Sequence, residues 1–347
     1  MRILVLHSDV PPDAPPEDID TLTSAEAVAQ ALLKHGHEVS KAPFTTDTDR
    51  FRALLAHEGA DVVFNLVEGV DGLGRLAPVA PRMLEEAGAV FTGVDYAAMA
   101  VTTDKPLTKR KLREAGIATA DWHEPPDWAG LDDRKYIVKS TLEDASVGLD
   151  DGCVVEGAEA VRRRAAESLA RHGGQWFAEE YIDGREYNIS MMQGPNGKPM
   201  VLPLAEMRFD DWPSDKPRIV GYGAKWDESL DINDQMIRCF ETETAEPVLA
   251  AKLKRACLRT WKLFGFTGYV RVDFRVTPKG EPLVLEINTN PCIAPDAGFA
   301  AAGEKIGLAY DQLVQRVVDT ALANARAQST KKRAGGRSDR TALKKIA

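Results

Sequence analysis

The sequence predicts an α/β protein in which an N-terminal open, parallel, Rossmann-like sheet precedes a region of different construction. Three observations support this. Short apolar strands alternate with helical segments over the first hundred residues, the pattern of an open parallel sheet. A Pro-rich connector, Trp122–Gly130 (WHEPPDWAG), then interrupts the alternation. Further on, Gly268–Asn290 (GYVRVDFRVTPKGEPLVLEINTN) has the period-2 pattern of a hairpin with one apolar and one charged face.

In chain order, Arg2–His7 is an apolar strand, Thr23–His35 a helix stopped by Gly36, and His37–Ser40 leads into a second strand. Asp61–Val67 (DVVFNLV) is unbroken in apolar character, as expected of a parallel strand buried on both faces. A helix over Leu76–Ala87 and a strand over Ala89–Thr92 complete this part. The loops His7–Asp13 and Glu68–Gly74 follow strands, where open α/β sheets bind ligands. Neither has a GxGxxG or Walker spacing. Asp104–Gly116 is a basic helix opened by an acid, as the helix dipole favours.

Beyond the connector, Tyr136–Lys139 is a strand ending on a lysine, followed by STLEDASVGL, a loop of small and acidic residues. Such a loop can present backbone N–H groups to phosphate, and a strand lysine can add a point charge. Cys153–Glu156 and Gln175–Ile182 are strands flanking a helix over Ala158–Arg171, and Glu186 opens another strand. Residues 207–245 are polar and irregular, which marks them as a functional segment. Pro247–Phe264 and Gly307–Ala325 are amphipathic helices.

The hairpin carries the chemistry. Strands Tyr269–Val276 and Glu281–Asn288 are joined by Thr277-Pro278-Lys279-Gly280, a turn that pairs Val276 with Glu281. In that register Arg271 and Asp273 share a face with Glu286 and Asn288. Two carboxylates and an amide oxygen beside a guanidinium suit Mg²⁺ better than a soft metal. A solvated face with routine cross-strand ion pairs is the alternative.

Composition excludes other classes. At 347 residues, with 44% hydrophobic and 28% charged residues, the chain has a globular composition with room for two or three domains. It has no apolar run of membrane-spanning length and no signal-peptide pattern, so a cytoplasmic location is expected. Its four cysteines lack CxxC spacing, which argues against a zinc site or disulfide framework. Residues 326–347 hold eight Lys or Arg against one Asp; removing that +7 from the net −9 leaves −16 on residues 1–325. An acidic body argues against nucleic acid as the main partner. The tail reads as a disordered solubilising end, with a nucleic-acid or membrane-surface arm as the alternative.

Five stretches in one order, DKPLTKRKLREAG, YIVKSTLEDASVG, FAEEYIDGREYNI, GYVRVDF and LVLEINTNPC, together resemble the ATP-grasp superfamily, most closely the D-alanine–D-alanine ligases. They span Asp104–Cys292. The resemblance implies an N-terminal substrate domain over 1–103, a small ATP-grasp lobe over 104–185, a lobe with the metal site over 186–325, and the tail 326–347. By position, Lys105 and Lys139 match the phosphate-contacting lysines, and Ser146 lies over the phosphates. Glu179 and Ile182 fall where backbone meets adenine, and Glu186 where an acid holds the ribose. Asp273, Glu286 and Asn288 match ligands of Mg²⁺, or Mn²⁺ in its place. Arg271 matches the arginine on the phosphoryl group, and Lys225 a lysine of the closing loop.

The implied reaction forms an amide through an acyl phosphate, with ATP as co-substrate, and makes a peptidoglycan precursor. The partners implied are small amino-acid or carboxylate substrates and, for assembly, a homodimer. Two departures bear on substrate. The Gly-Gly-x-Ser-x-Glu loop after the first strand is replaced by HSDVPPDAPPED, and the Ser-Pro-Gly after the metal strand becomes Asn290-Pro291-Cys292. The ammonium-binding acid is then sought at Glu68, with Asp71, Asp13, Glu17 and Asp18 nearby. Three readings stay open: a D-alanine–D-alanine ligase, a ligase of other amino acids or acids, and a nucleotide-binding protein without catalysis.

Overall fold

The computed structural model describes residues 1–343 except Pro12, Pro15, Ala145, Asp215 and 222–234. The first sheet is parallel, in the order β2 (Glu38–Pro43), β1 (Arg2–His7), β3 (Val62–Leu66). The Ala89–Thr92 segment does not form the expected fourth strand. It meets β3 through a single bridge, Val63 to Phe91, and two backbone hydrogen bonds. The chain is diverted there into a helix, Tyr96–Thr103. Helices α1 (Pro16–Lys34), α2 (Thr48–Glu58), α3 (Val79–Glu86), α4 (Tyr96–Thr103) and α5 (Lys105–Glu114) complete this half. Neither α2 nor α4 is expected from the reading above. Each starts on an aspartate, Asp47 or Asp95, whose side chain accepts from backbone N–H groups of the first turn.

Next comes a four-stranded antiparallel sheet, ordered β4 (Trp122–His123), β7 (Trp176–Glu180), β5 (Lys135–Ser140), β6 (Val154–Glu156). Tyr136, Val138, Trp176 and Ala178 point from one face onto α6 (Ala158–His172), packing on Val161 and Ala165. Ile137, Lys139 and Glu179 therefore share the opposite face. Gly148 packs flat on Trp176: at φ +72, an added Cβ would lie 2.4 Å from the indole.

The largest sheet runs β11 (Met236–Cys239), β10 (Glu206–Phe209), β8 (Arg185–Gln193), β12 (Tyr269–Val276), β13 (Pro282–Asn288), with β9 (Pro199–Val201) on β8. One face is apolar: Tyr187, Ile189, Val270, Val272, Phe274 and Val284 pack on Leu253, Cys257 and Trp261. The last three belong to α8 (Pro247–Phe264), which follows the short α7 (Thr242–Ala245). The stretch 207–245 is thus less irregular than its composition implies, since it contains β10, β11 and α7.

The hairpin of β12 and β13 departs from the expected register. Thr277 N–H donates to Glu281 O at 2.9 Å, and Val276 opposes Pro282 rather than Glu281. Continued without interruption, that pairing would set Leu285 against Asp273 and turn Glu286 to the apolar side. A β-bulge opposite Asp273 and Phe274 absorbs the extra residue, so Asp273 opposes Glu286 and Arg271 opposes Asn288. The charged face is as expected; the route to it is not.

Two helices close the chain. α9 (Gly298–Glu304) is mostly glycine and alanine around a buried Phe299, and α10 (Tyr310–Leu343) continues past Ala325, where the sequence suggests a stop. Leu313, Val314, Val317 and Val318 of α10 pack with Ile3, Val5 and Phe64, so the N-terminal sheet shares a core with the C-terminal helix. Among the described residues, no helix is long and apolar enough to cross a membrane.

Candidate active site

Helix α5 contributes two lysines one turn apart. Asp104 caps it, accepting from Leu107 N–H at 2.8 Å, which fixes Lys105 at the first position and Lys109 four residues on. Lys105 Nζ donates to Glu143 O at 2.8 Å and to Asp144 Oδ1 at 2.9 Å. Burial works against its charge, but Asp144, Glu286 and Glu143 outweigh burial and hold the ammonium above its usual range. Lys109 is fully buried, 2.9 Å from Glu179 Oε2 and 2.8 Å from Thr119 Oγ1. Its pKa is lowered, chiefly by desolvation, with Glu179 opposing and Lys139 assisting.

Lys139 Nζ lies 3.7 Å from the same Glu179 carboxylate. Glu179 thus contributes a buried side chain that holds two lysines, in addition to any backbone role. Lys109 is missed by the sequence reading, although the period-4 spacing after Lys105 is a usable signal.

Between the two antiparallel sheets lies a cavity of about 330 Å³. Ile137, Lys139, Ser146 and Glu179–Ile182 line one side, and Glu186, Asn188, Arg271, Asp273, Arg275 and Glu286 the other. Ser146 stands at φ 63, and its Oγ donates to Val220 O at 3.1 Å. Glu186 is ion-paired with Arg275 at 2.9 Å, and Arg275 also donates to Gly184 O at 2.9 Å and to Arg218 O. Lys225 falls outside the described residues.

A second cavity, about 210 Å³, opens beside β13. Asp20, Glu68, Asp144, Asn288, Thr289, Asn290 and Cys292 line it, and it shares Arg271 and Glu286 with the first. Arg271 donates twice to Asp273, at 2.8 Å each. Burial opposes the Arg271 charge, but Asp273 and Glu286 push its pKa up. Asn288 Oδ1 accepts from Asn290 N–H at 3.0 Å, and Asn290 Nδ2 donates to Val67 O at 3.1 Å.

Among the described residues, no three His, Cys, Asp or Glu are grouped to hold a metal. The oxygen set at Asp273, Glu286 and Asn288 takes its third donor from an amide, and hard oxygen donors of this kind fit Mg²⁺.

Glu68, expected at the cavity rim, lines the second cavity, while Asp71 does not. Asp20 is an acid that the sequence does not single out. Its carboxylate lies 3.5 Å from Cys292 Sγ. Desolvation raises the Asp20 pKa, the Cys292 hydrogen bond opposes this, and Asp296 adds to it. The Cys292 thiol is pushed up to about 12 by burial and the nearby Glu68 and Asp20 carboxylates. It is therefore a neutral hydrogen-bonding group at neutral pH, not a nucleophile.

A cavity lined by Lys139 and Arg271 thus meets a second, carboxylate-bearing one at Arg271 and Glu286. Residues 134–319 match the family described as D-ala D-ala ligase C-terminus. A D-alanine–D-alanine ligase of Moorella thermoacetica is 32% identical, over 87% of this chain and 94% of that protein. An uncharacterised protein of Sinorhizobium fredii is 28% identical, over 88% and 90%. The crystal structure of a D-alanine–D-alanine ligase from Bacillus anthracis with ATP superposes with a TM-score of 0.72 at 19% identity, covering 94% of this chain and 99% of that one. The chain belongs to the D-alanine–D-alanine ligase family.

Proposed function

We propose that the protein joins the carboxylate of one amino acid to the amine of another through an acyl phosphate, with D-alanine as the first candidate substrate. The single observation that carries this is the meeting of two cavities at Arg271 and Glu286. ATP would occupy the larger cavity, with adenine against Glu179–Ile182, ribose toward Glu186, and phosphates toward Lys105, Lys139 and Ser146. Asp273, Glu286 and Asn288 would hold Mg²⁺, which neutralises phosphate charge when bound.

The acid substrate would lie in the smaller cavity, its carboxylate toward Arg271. Attack of that carboxylate on the γ-phosphorus releases ADP and leaves an acyl phosphate; the amine then attacks the acyl carbon and phosphate departs. Arg271, which donates twice to Asp273, would balance negative charge on both sides of the shared wall. Glu68, with Asp20, would take the ammonium of the acid substrate. Domain limits at residues 103, 185 and 325, a cytoplasmic location and a homodimer belong to the same reading.

Replacement of the first-loop signature and the Cys292 side chain favour a second reading, in which the same chemistry serves other amino acids. A phosphate-release screen with ATP, Mg²⁺ and a panel of D- and L-amino acids decides between them. Release above background with D-alanine alone supports the first reading, and release only with other acids or amines supports the second. No release with any pair sinks both.

A further inference from the structure

A buried arginine and a buried glutamate meet on the wall of the larger cavity, and the arginine uses only one oxygen of the glutamate. Arg275 on β12 opposes Glu186 on β8, so both side chains leave the sheet on the cavity side. Arg275 is 4% exposed and Glu186 7%. Arg275 Nη2 reaches Glu186 Oε2 at 2.9 Å. The guanidinium is fixed further by Gly184 O at 2.9 Å, by Arg218 O, and by the ring of Phe209 on β10, whose centroid lies 5.8 Å from Cζ. Arg218 donates its own N–H to Tyr181 Oη at 3.0 Å, so the chain just past β7 also helps to hold the arginine. Glu186 Oε1 is held less firmly. Among the described residues its one contact is Asn188 Nδ2 at 3.5 Å, the outer limit of a hydrogen bond.

A buried carboxylate oxygen without a strong partner calls for a donor. Chemistry narrows which one. The carboxylate turns phosphates away, and with its charge already cancelled by Arg275 it has little to offer a second cation. A neutral O–H or N–H donor remains. A nucleoside triphosphate in this cavity supplies two hydroxyls on the sugar and an exocyclic amine on the base. Position favours the sugar. Glu186 lies two residues along β8 from Asn188, which opposes Asp273, a step of about 7 Å from the row that faces the phosphates. The sugar is the part of a nucleotide that adjoins the phosphates.

We propose that Arg275 is a positioning residue that holds Glu186 with Oε1 toward the ribose hydroxyls, so that the cavity selects nucleotides by their sugar. This rests on the placement of a nucleotide in the larger cavity. Arg275 acts through Glu186 and not on the nucleotide. It fixes one carboxylate oxygen, which sets the direction of the other, and it cancels a charge that would repel the phosphates. Without Arg275 the carboxylate is a buried, unpaired charge that turns away or takes up a proton.

Nucleotide binding tests this without any acid substrate. Titration calorimetry of the full-length protein with Mg²⁺ gives the Kd for ATP, for dideoxy-ATP, which lacks both sugar hydroxyls, and for inosine triphosphate, which lacks the exocyclic amine. The wild type should prefer ATP to dideoxy-ATP by roughly tenfold or more, the worth of a hydrogen bond to a charged group. Arg275→Met should cut that preference to about threefold or less. Arg275→Lys keeps the charge but not the fork of donors, so it should retain part of the preference, and it serves alone where the methionine variant does not fold. The preference is a ratio within one preparation, which a loss of stability leaves unmoved. If a folded variant weakens both nucleotides equally, or neither, Arg275 only supports the fold and the proposal is overturned. Loss of the preference for ATP over inosine triphosphate in its place puts the base at Glu186 and overturns it as well. Wild-type protein that binds none of the three refutes the nucleotide reading itself, and the proposal with it.

Discussion

Lys109 offers the most direct test of how the nucleotide side of the site is held. Its ammonium is fully buried between Glu179 at 2.9 Å and Thr119 at 2.8 Å, and Glu179 is itself 1% exposed. Lys109→Met keeps the aliphatic volume and removes the charge. Removing one member of a buried ion pair costs about 3–5 kcal/mol, because the remaining charge has lost its solvation and its partner. Here Glu179 retains Lys139 at 3.7 Å, so the lower end, about 3 kcal/mol, is expected. That is roughly a hundredfold in the folding equilibrium.

Urea unfolding followed by tryptophan fluorescence reads it directly, since Trp122 and Trp176 belong to the same four-stranded sheet. Glu179→Gln alone should also be costly. The double variant should cost less than the two singles together, by about 1 kcal/mol or more. If Lys109→Met unfolds within about 1 kcal/mol of wild type, or if the effects simply add, the pair does not carry the load assigned to it.

Other expectations are as concrete. Asp273→Ala and Glu286→Ala should each abolish turnover and leave the circular dichroism spectrum intact; near-normal turnover with Mg²⁺ in either would remove the metal assignment. Glu68→Gln should raise the KM for the acid substrate about tenfold with little change for ATP, and equal effects on both KM values would place the ammonium acid elsewhere. Asp20 has a raised folded pKa, so the folded state holds its proton longer and stability falls as pH rises through that window above the ordinary carboxylate range. Asp20→Asn should lack this fall in a pH series of melting temperatures. Truncation after Ala325 should leave turnover intact, since residues 326–330 are exposed.

What the sequence makes legible is what depends on neighbours in the chain. The alternation around Arg271 and Asp273 gives the face of β12, and the apolar run at Val62–Leu66 gives a buried parallel strand. Capping aspartates at positions 47 and 95 mark the starts of α2 and α4, but short helices of weak periodicity stand out poorly from loop composition. The residues that stay hidden are those whose meaning is supplied by distant partners. Lys109 reads as one more charge on a basic helix until Glu179, seventy positions later, is seen beside it. Asp20 is a helix acid until Cys292 meets it. The bulge in β13 is a further case: its effect on Glu286 follows from where the turn closes, which hairpin length alone leaves undetermined.

The common wall between the cavities has a thermodynamic consequence. Arg271 and Glu286 face both chambers, so a ligand in one that changes their charge balance changes what the other will accept. Such coupling is reciprocal: whatever factor ATP applies to the affinity for the acid substrate, the acid substrate must apply to ATP. Order of addition can then be random in principle and still look ordered, because the first ligand to arrive sets the field met by the second.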